Sequence, residues 1–342
     1  MTPSKNGHDQ TISIEKIPVG KGHPTFIIAE AGINHNGDMD IAKNLIRKAK
    51  ELDVDAIKFQ SWTKDSLVQN LPQYEYLEIL ELTEERHRDL YDYCQQIGIK
   101  FLSSAFSTEA ADLLENLGVD AYKMASMDLN NPDLLRYVAE KGKPMIVSTG
   151  MGTMAEVEEA VEAIFSTGNR QLILLQCTAN YPPALEDVNL RAMETLRTAF
   201  DVPVGYSDHS IGISVPLAAV ALGACVIEKH FTLDKEMEGY DHSVSTDPDD
   251  LRAMVAGIRE IERALGSTVK TPAEAELEGR AFFRRSIIAS VPIPAGTIIT
   301  QNMLVTKRPG NGIPPGQIGT VVGKTASNDI AEDELINPEH IR

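Results

Sequence analysis

Short apolar runs alternate with longer segments of helical periodicity along most of the chain. Amphipathic segments such as 39–52 and 155–165 place apolar residues three or four positions apart, which predicts helices that bury one face. Between them, apolar runs of strand length occur at 26–31, 56–60, 100–106, 121–126, 144–150, 172–178, 202–209 and 224–231. These strand-then-helix units predict an α/β fold, a (β/α)8 TIM barrel. A doubly wound open sheet is the alternative, but no G-x-G-x-x-G follows the first run.

The pattern changes after residue 266. Residues 267–283 are polar and contain Pro and Gly, which predicts a linker with one helical piece. Residues 284–342 lack helical periodicity and have many Gly and Pro turns, which predicts a small β domain. Within it, I-P-A-G-T-I-I (293–299) and I-A-E-D-E-L-I (330–336) share their apolar spacing. We therefore expect a catalytic barrel at 1–266, a linker at 267–283 and a pseudo-symmetric β domain at 284–342.

Composition restricts the classes of partner. The chain of 342 residues is 42% hydrophobic, enough for a large core, and has a formal net charge of −18. An acidic surface repels nucleic acid and anionic lipid, so neither is an expected partner, and an anionic substrate would need a local cationic pocket. Three cysteines without a C-x-x-C pair, a polar N-terminus and no bilayer-length apolar run predict a reduced, cytoplasmic protein.

Polar side chains recur where the predicted barrel strands end, and such barrels carry their active sites at that end. The residues at these ends include Glu30, Lys58, Gln60, Ser104, Lys123, Ser126, Ser148, Ser207, His209, Glu228 and His230. Lys58 and Lys123 could each pair with a carboxylate of a neighbouring strand, and Glu30 is either such a partner or a catalytic base. Two buried lysines in an acidic protein favour an anion site, since one phosphate can neutralise both. The serines either cap the following helices or help to cradle that anion.

The run V-I-E-K-H-F-T (226–232) places three ionisable residues inside an apolar strand. Because side chains alternate along a strand, Glu228 and His230 should share the barrel interior, whereas Lys229 should face the helices and have a structural role. His209 and His230 end adjacent strands, so their imidazoles could converge on one divalent metal ion. Two hydrogen-bonded structural histidines are the alternative, and spacing alone does not separate these possibilities.

Seven separated segments together resemble the sialic acid (nonulosonate) synthase family. They are I-I-A-E-A-G-I-N-H-N-G (27–37), A-I-K-F-Q (56–60), F-L-S-S-A-F (101–106), I-V-S-T-G-M (146–151), V-G-Y-S-D-H-S (204–210), A-L-G-A-C-V-I-E-K-H-F-T-L-D (221–234) and K-R-P-G-N-G (307–312). The resemblance includes the small terminal domain. It implies a TIM barrel followed by the family's antifreeze-like (SAF) domain, a β-clip fold.

The resemblance implies a condensation of phosphoenolpyruvate with an N-acyl hexosamine, N-acetylmannosamine or a diacetamido relative, to give a nine-carbon 2-keto sugar acid and phosphate. The family's metal-ligating histidines match His209 and His230, which would hold Mn²⁺ or Mg²⁺, and its key carboxylate matches Glu30. Its phosphoenolpyruvate contacts match Lys58, Gln60, Ser104, Lys123, Ser126, Ser148 and Ser207. Its sugar contacts match Tyr181 and Asp241, and Arg308 matches an arginine that the partner subunit supplies in a domain-swapped homodimer.

The departures from the family pattern lie on the sugar side. Ser126-Met127-Asp128 stands where the family often has S-G-E, whose Glu contacts the sugar, so Asp128 is the expected contact with a shorter side chain. Gln176 stands where many members have His, and G-Y-D-H (239–242) stands where G-P-D-H is commoner. These departures leave the identity of the amino sugar open.

Two other functions fit parts of the pattern. A Schiff-base aldolase on the same barrel would use Lys123 or Lys58 as nucleophile and would need no metal. A non-catalytic carbohydrate-binding protein would use the small domain as its working part, but the repeated polar groups at the strand ends argue against it.

Overall fold

A computed structural model describes residues 10–69 and 74–342 of the chain. Its strands are β1 Thr11–Ile14, β2 Ile17–Gly20, β3 Phe26–Glu30, β4 Ala56–Ser61, β5 Lys100–Ala105, β6 Tyr122–Met124, β7 Met145–Ser148, β8 Leu172–Cys177, β9 Val204–Asp208, β10 Val226–His230, β11 Ser286–Ala289 and β12 Leu304–Lys307. The chain divides into two compact units, Met1–Gly266 and Ser267–Arg342.

Helices follow the strands of the first unit and continue into the second. They are α1 Met39–Glu51, α2 Lys64–Leu67, α3 Leu77–Leu80, α4 Glu84–Ile97, α5 Thr108–Leu117, α6 Pro132–Glu140, α7 Met154–Ser166, α8 Ala192–Phe200, α9 Ser214–Ala221, α10 Pro248–Leu265 and α11 Glu274–Phe283. Many begin at a capping side chain that accepts a backbone N–H of the first turn, as Ser107 does for α5 and Asp247 for α10. None of the helices that the structure describes has the length and apolar composition needed to span a bilayer.

Strands β3 to β10 close into a parallel barrel in sequence order, with β10 pairing with β3. Each of them coincides with one of the eight apolar runs, so the predicted TIM barrel is confirmed. The register pairs His230 with Glu30 and Glu30 with Lys58 across adjacent strands. The carboxyl ends of these strands therefore bring residues that are far apart in sequence to one end of the barrel.

Alternation along the strands separates two cores. Outward side chains such as Ile27 and Phe59 pack under the helices. Inward side chains near the strand starts, such as Phe26 and Ile28, pack with Ile12 of the β1–β2 hairpin. This hairpin is an addition to the elements predicted from the sequence, although apolar residues alternate with polar ones along β1, a pattern typical of a half-buried strand.

The same alternation decides the arrangement of β10. Glu228 and His230 both border the cavity at the barrel mouth. Lys229 faces the opposite side, where its Nζ lies 2.5 Å from Asp208 Oδ2. The predicted division of this strand into two inward groups and one structural lysine agrees with these contacts.

The second unit contains α11 and a small β fold. Strands β11 and β12 pair antiparallel, and Ile293 and Ile330 exchange backbone hydrogen bonds of 2.8 and 2.9 Å. These two isoleucines begin the two segments with shared apolar spacing, so equivalent positions of the internal repeat meet in the structure. Ile299 and Ile336, which end those segments, are both fully buried.

Candidate active site

A cavity of about 340 Å³ opens at the carboxyl ends of the barrel strands. Most of the residues predicted to form a site border it. They are Glu30, Lys58, Gln60, Ser104, Lys123, Ser126, Ser148, Tyr181, Ser207, His209 and His230. The barrel register thus assembles one polar cavity from residues of eight strands and the loops after them.

Lysines and glutamates alternate in the buried part of this cavity. The Nζ of Lys58 lies 2.7 Å from a carboxylate oxygen of Glu30 and 3.8 Å from one of Glu228. The Nζ of Lys123 lies 3.7 Å from the other oxygen of Glu228. All four side chains are at most 7% exposed, and their formal charges cancel. The lysines are therefore desolvated, and their distances of 3.7 and 3.8 Å from Glu228 leave both ammonium groups able to form closer contacts with an anion.

Hydroxyl groups extend this network. Lys58 donates to Ser104 Oγ at 2.9 Å, and Lys123 donates to Ser148 Oγ at 2.8 Å. Ser207 donates to a carboxylate oxygen of Glu228 at 3.0 Å. Each lysine is thus paired with a serine on the next strand, in a geometry that presents ammonium and hydroxyl groups together.

The ionisation of these groups differs because their neighbours differ. Burial raises the pKa of Glu30 to about 7, against the opposing charge of Lys58 and with a further contribution from Glu228. Burial disfavours the ammonium form of Lys58, but Glu228 and Glu30 outweigh that effect and raise its pKa. For Lys123, burial dominates and lowers the pKa, since Glu228 offsets only part of it. Of the two lysines, Lys58 therefore has the higher pKa and holds its proton more strongly.

The two histidines meet at the mouth of the same cavity. Their ring centroids are 5.3 Å apart. The Nδ1–H of His209 donates to the Thr178 carbonyl at 2.9 Å, which leaves its Nε2 lone pair available. The Nδ1 of His230 is buried without a hydrogen-bond partner and lies 3.6 Å from Asp241 Oδ2. Burial lowers the pKa of both imidazoles, so both are neutral at physiological pH.

Neutral, converging imidazoles with an orphaned nitrogen fit a divalent transition-metal ion. In the part of the chain that the structure describes, no group of three or more His, Cys, Asp or Glu residues is placed to hold one. The protein would then supply two nitrogen ligands and leave the remaining positions to water or substrate, an arrangement suited to a catalytic metal rather than a structural one.

Of the predicted site residues in the first unit, two do not border the cavity. Asp128 ends the 3-10 turn Ser126–Asp128 with its Oδ2 buried and without a hydrogen-bond partner, and burial raises its pKa to about 7. Asp241 follows β10 and approaches His230 instead. Arg308 belongs to the second unit, where its guanidinium lies 5.4 Å from the Phe283 ring. Sugar contacts by these residues stay predictions.

The structure also adds residues that the sequence analysis did not single out as site residues. Cys177, Met127, Met151, Ala179, Phe106 and Leu67 border the cavity. Cys177 was predictable, because it follows Ile173 and Leu175 at alternate positions on the inner face of β8. The others lie in loops, in the 3-10 turn Ser126–Asp128 or, for Leu67, at the end of the four-residue helix α2. None of these segments is long enough for periodicity to indicate the direction of a side chain.

Comparisons with known proteins identify the family of this chain. Residues 45–270 match the model of the NeuB family, and residues 284–342 match the SAF domain. This chain belongs to the NeuB family. It is 43% identical to the N,N'-diacetyllegionaminic acid synthase of Legionella pneumophila, over 95% of this chain and 96% of the relative. It is 40% identical to human N-acetylneuraminate-9-phosphate synthase, over 94% of each chain.

A solved structure supports the same assignment of the family. The N-acetylneuraminic acid (sialic acid) synthetase of Leptospira borgpetersenii superposes with a TM-score of 0.76 at 35% identity. The match covers 79% of this chain and 95% of that one. The resemblance to sialic acid synthases and the SAF domain predicted from the sequence are therefore confirmed, and the relatives named here are synthases, which makes this chain an enzyme of that family.

Proposed function

We propose that this protein is a nonulosonic acid synthase that condenses phosphoenolpyruvate with an N-acyl hexosamine and water, releasing phosphate. The proposal rests on one observation: a single cavity contains both an anion-binding pair and a metal-binding pair of side chains. A buried lysine pair, Lys58 and Lys123, suits the anionic reactant, and a histidine pair, His209 and His230, suits a metal-assisted aldehyde. Membership of the NeuB family, whose named relatives are sialic and legionaminic acid synthases, supports this reaction.

Phosphoenolpyruvate would bind at the lysines. It is multiply anionic, and Lys58 and Lys123 provide the two buried cations of the cavity, with Ser104 and Ser148 already in hydrogen-bonding contact with them. Ser126, Ser207 and Gln60 add polar groups on the same lining. Because Glu228 neutralises these lysines only at 3.7 and 3.8 Å, a phosphate or carboxylate oxygen can approach them more closely.

The sugar would bind nearer the mouth of the cavity than phosphoenolpyruvate, with its aldehyde at the two histidines. His209 and His230 would hold Mn²⁺ or Mg²⁺, and the cation would polarise the aldehyde oxygen towards attack. The ring of Tyr181 lies 4.1 Å from that of His209 and 5.6 Å from that of His230, so it forms one wall of this part of the cavity. Tyr181 and Asp241 are the proposed sugar contacts on this side.

Glu30 would accept a proton from the water that attacks the enol carbon. A pKa of about 7 suits a general base, and its carboxylate accepts a hydrogen bond of 3.2 Å from Gln60 Nε2. In the reaction, the methylene carbon of phosphoenolpyruvate bonds to the aldehyde carbon, and the oxygen of water bonds to the enol carbon. One proton of the water passes to Glu30, and the former aldehyde oxygen takes up a proton to become a hydroxyl. The bond between the former enol carbon and the phosphate oxygen then breaks, the second water proton leaves with the phosphate, and a ketone forms. Loss of phosphate makes the step effectively irreversible.

A homodimer completes the proposal. Arg308 would reach the sugar from the partner subunit, in the domain-swapped arrangement that the sequence resemblance implies. An extra cation at the sugar would be useful, because the two lysines that border the cavity, Lys58 and Lys123, are assigned to phosphoenolpyruvate.

A Schiff-base aldolase is the second candidate, because the lowered pKa of Lys123 favours a nucleophilic amine. Such an enzyme would keep its activity in a chelator and would be trapped by borohydride in the presence of a keto acid. A synthase would lose activity in the chelator and regain it with Mn²⁺.

The proposal is tested by phosphate release from phosphoenolpyruvate with Mn²⁺ and a panel of N-acyl hexosamines. We expect release that depends on both metal and sugar, together with a nine-carbon product identified by mass. Release without sugar, or no release with any sugar, would overturn the proposed function.

A further inference from the structure

Two loops interlock at the rim of the cavity. The backbone at Gly150–Gly152 packs against the turn that begins at Ser126. A Cβ at Gly150 would lie 2.8 Å from Ser126 Oγ, and one at Gly152 would overlap Leu129 Cδ2. Gly150 also donates its N–H to Ser126 Oγ at 3.0 Å. Met151 is the one residue of Gly150–Gly152 that has a side chain. The close packing of the two glycines fixes the position of the Met151 backbone.

Met151 has a backbone φ of 63°, a left-handed conformation that non-glycine residues seldom adopt. Its side chain is 70% exposed, and that of Met127 on the facing turn is 48% exposed. Both border the main cavity and also a cleft of about 150 Å³ that adjoins it. A strained position held by its surroundings, with a large apolar side chain at the rim of a site, points to a function for that side chain.

The cleft differs from the rest of the cavity in chemistry. Its walls are the Met127 and Met151 side chains, Leu129 and Asn130, together with small residues. Among the described residues that border it, the one charged group is Glu156, whose carboxylate already accepts hydrogen bonds from the Thr153 N–H and hydroxyl. The cleft thus offers thioethers and one amide but no cation.

We infer that the cleft between Met127 and Met151 receives a second N-acyl group of the sugar, so that the preferred substrate is a diacetamido hexose. The inference rests on the proposed function. An acetamido group has an apolar methyl, which suits flexible thioethers, and an amide, which suits the Asn130 side chain. A sugar phosphate is disfavoured there, because Glu156 would repel it. The relatives' identities of 43% and 40% do not separate these sugars, so the cleft is what distinguishes them.

The experiment compares kcat/KM for N-acetylmannosamine, its 6-phosphate and 2,4-diacetamido-2,4-dideoxymannose. Met151→Gly suits the positive φ and so removes the side chain without unfolding the loop. Met127→Ala truncates the opposite wall. Met154→Ala is the matched control, because Met154 is also exposed but borders neither the main cavity nor the cleft.

We expect the native enzyme to favour the diacetamido sugar by about tenfold or more, as expected for the burial of a small apolar group in a fitted pocket. Each cleft variant should lose most of that preference through KM, and Met154→Ala should keep it. Equal use of N-acetylmannosamine, a preference for the 6-phosphate, or a preference that survives both cleft substitutions would overturn the inference and leave the synthase proposal standing. Phosphate release with none of the three sugars would overturn both.

Discussion

Lys229 and Asp208 form an ion pair directly behind the two candidate metal ligands. Their Nζ and Oδ2 atoms are 2.5 Å apart, and the side chains are 2% and 0% exposed. Asp208 immediately precedes His209, and Lys229 immediately precedes His230. Lys229 also donates to the Ser210 carbonyl at 2.6 Å, while Asp208 Oδ1 accepts the Ser210 N–H at 3.0 Å. One buried pair therefore fixes the two strand ends from which the imidazoles project.

The first prediction concerns this pair. Lys229→Met leaves the Asp208 carboxylate buried without its partner and should lower the free energy of unfolding by about 3–5 kcal/mol in urea titrations. The folded fraction should also bind Mn²⁺ more weakly, because the strand ends lose their common anchor. Asp208→Asn combined with Lys229→Met should recover part of both losses.

Lys235→Met is the control for this prediction. Lys235 also contacts two carboxylates, but its side chain is 34% exposed, so its loss should cost no more than about 1 kcal/mol. An equal cost for both lysines, or an unchanged Mn²⁺ affinity in Lys229→Met, would show that the pair does not position the histidines.

The second prediction concerns metal removal. His209→Ala and His230→Ala should each abolish detectable Mn²⁺ binding in electron paramagnetic resonance titrations. Phosphoenolpyruvate binding, measured by calorimetry, should persist, because the lysines and their serine partners stay in place. His23→Ala, at an exposed position, should leave both unchanged. Native Mn²⁺ affinity in the double histidine variant would place the metal elsewhere.

The third prediction concerns pH and Asp128. The folded protein holds a proton on this carboxyl up to a pKa of about 7, whereas the same carboxyl in the unfolded chain has the ordinary aspartate pKa of 3.8. The stability contributed by this proton is present below pH 3.8 and is lost as the pH rises through 7. Asp128→Asn removes the cost of ionising this buried carboxyl, so its stability advantage over the native protein should grow between pH 4 and pH 8, reaching roughly 4 kcal/mol.

Urea titrations at several pH values measure that difference. The same variant also tests the sugar contact predicted for Asp128. A sugar contact by Asp128 predicts a raised KM for the sugar in Asp128→Asn, and an unchanged KM would contradict that contact. A pH-independent difference in stability would contradict the buried, protonated state.

The fourth prediction concerns Arg308. Co-expressed Arg308→Ala and Glu30→Gln chains, purified as heterodimers through two tags, should recover about half the native activity if the arginine acts across the dimer. One of the two sites then combines an intact Glu30 with an intact Arg308. Arg285→Ala, at an exposed position of the same unit, serves as the control and should be active by itself. Inactive heterodimers, or a monomeric native protein in light scattering, would contradict the proposed swap.

The barrel and the polar part of its cavity were predictable because both follow from periodicity. Apolar runs of strand length located β3 to β10, and alternation within V-I-E-K-H assigned Glu228 and His230 to one side and Lys229 to the other. The partner of Lys229 was not predictable in this way, since Asp208 lies on another strand and only the barrel register brings them together.

In loops and turns, no periodic pattern indicates which side chains are buried or where they point. Asp128 occupies a position where the family has a carboxylate, yet the local turn buries it away from the cavity wall. Met151 lies between two glycines, a sequence context typical of a flexible loop. Its fixed placement comes from close packing against the turn after β6, which is a tertiary interaction.

The β1–β2 hairpin has a consequence for the order of events in catalysis. Its residues Ile12, Ile14 and Val19 pack against the inner residues at the strand starts, so the barrel is closed at that end. In the part of the chain that the structure describes, the cavity therefore opens at the carboxyl ends of the strands alone. Lys58, at 2% exposure, lies deeper than His230, at 8%. Under the proposed function, phosphoenolpyruvate must enter before the sugar, and saturating sugar should slow its escape, which gives an ordered sequential mechanism.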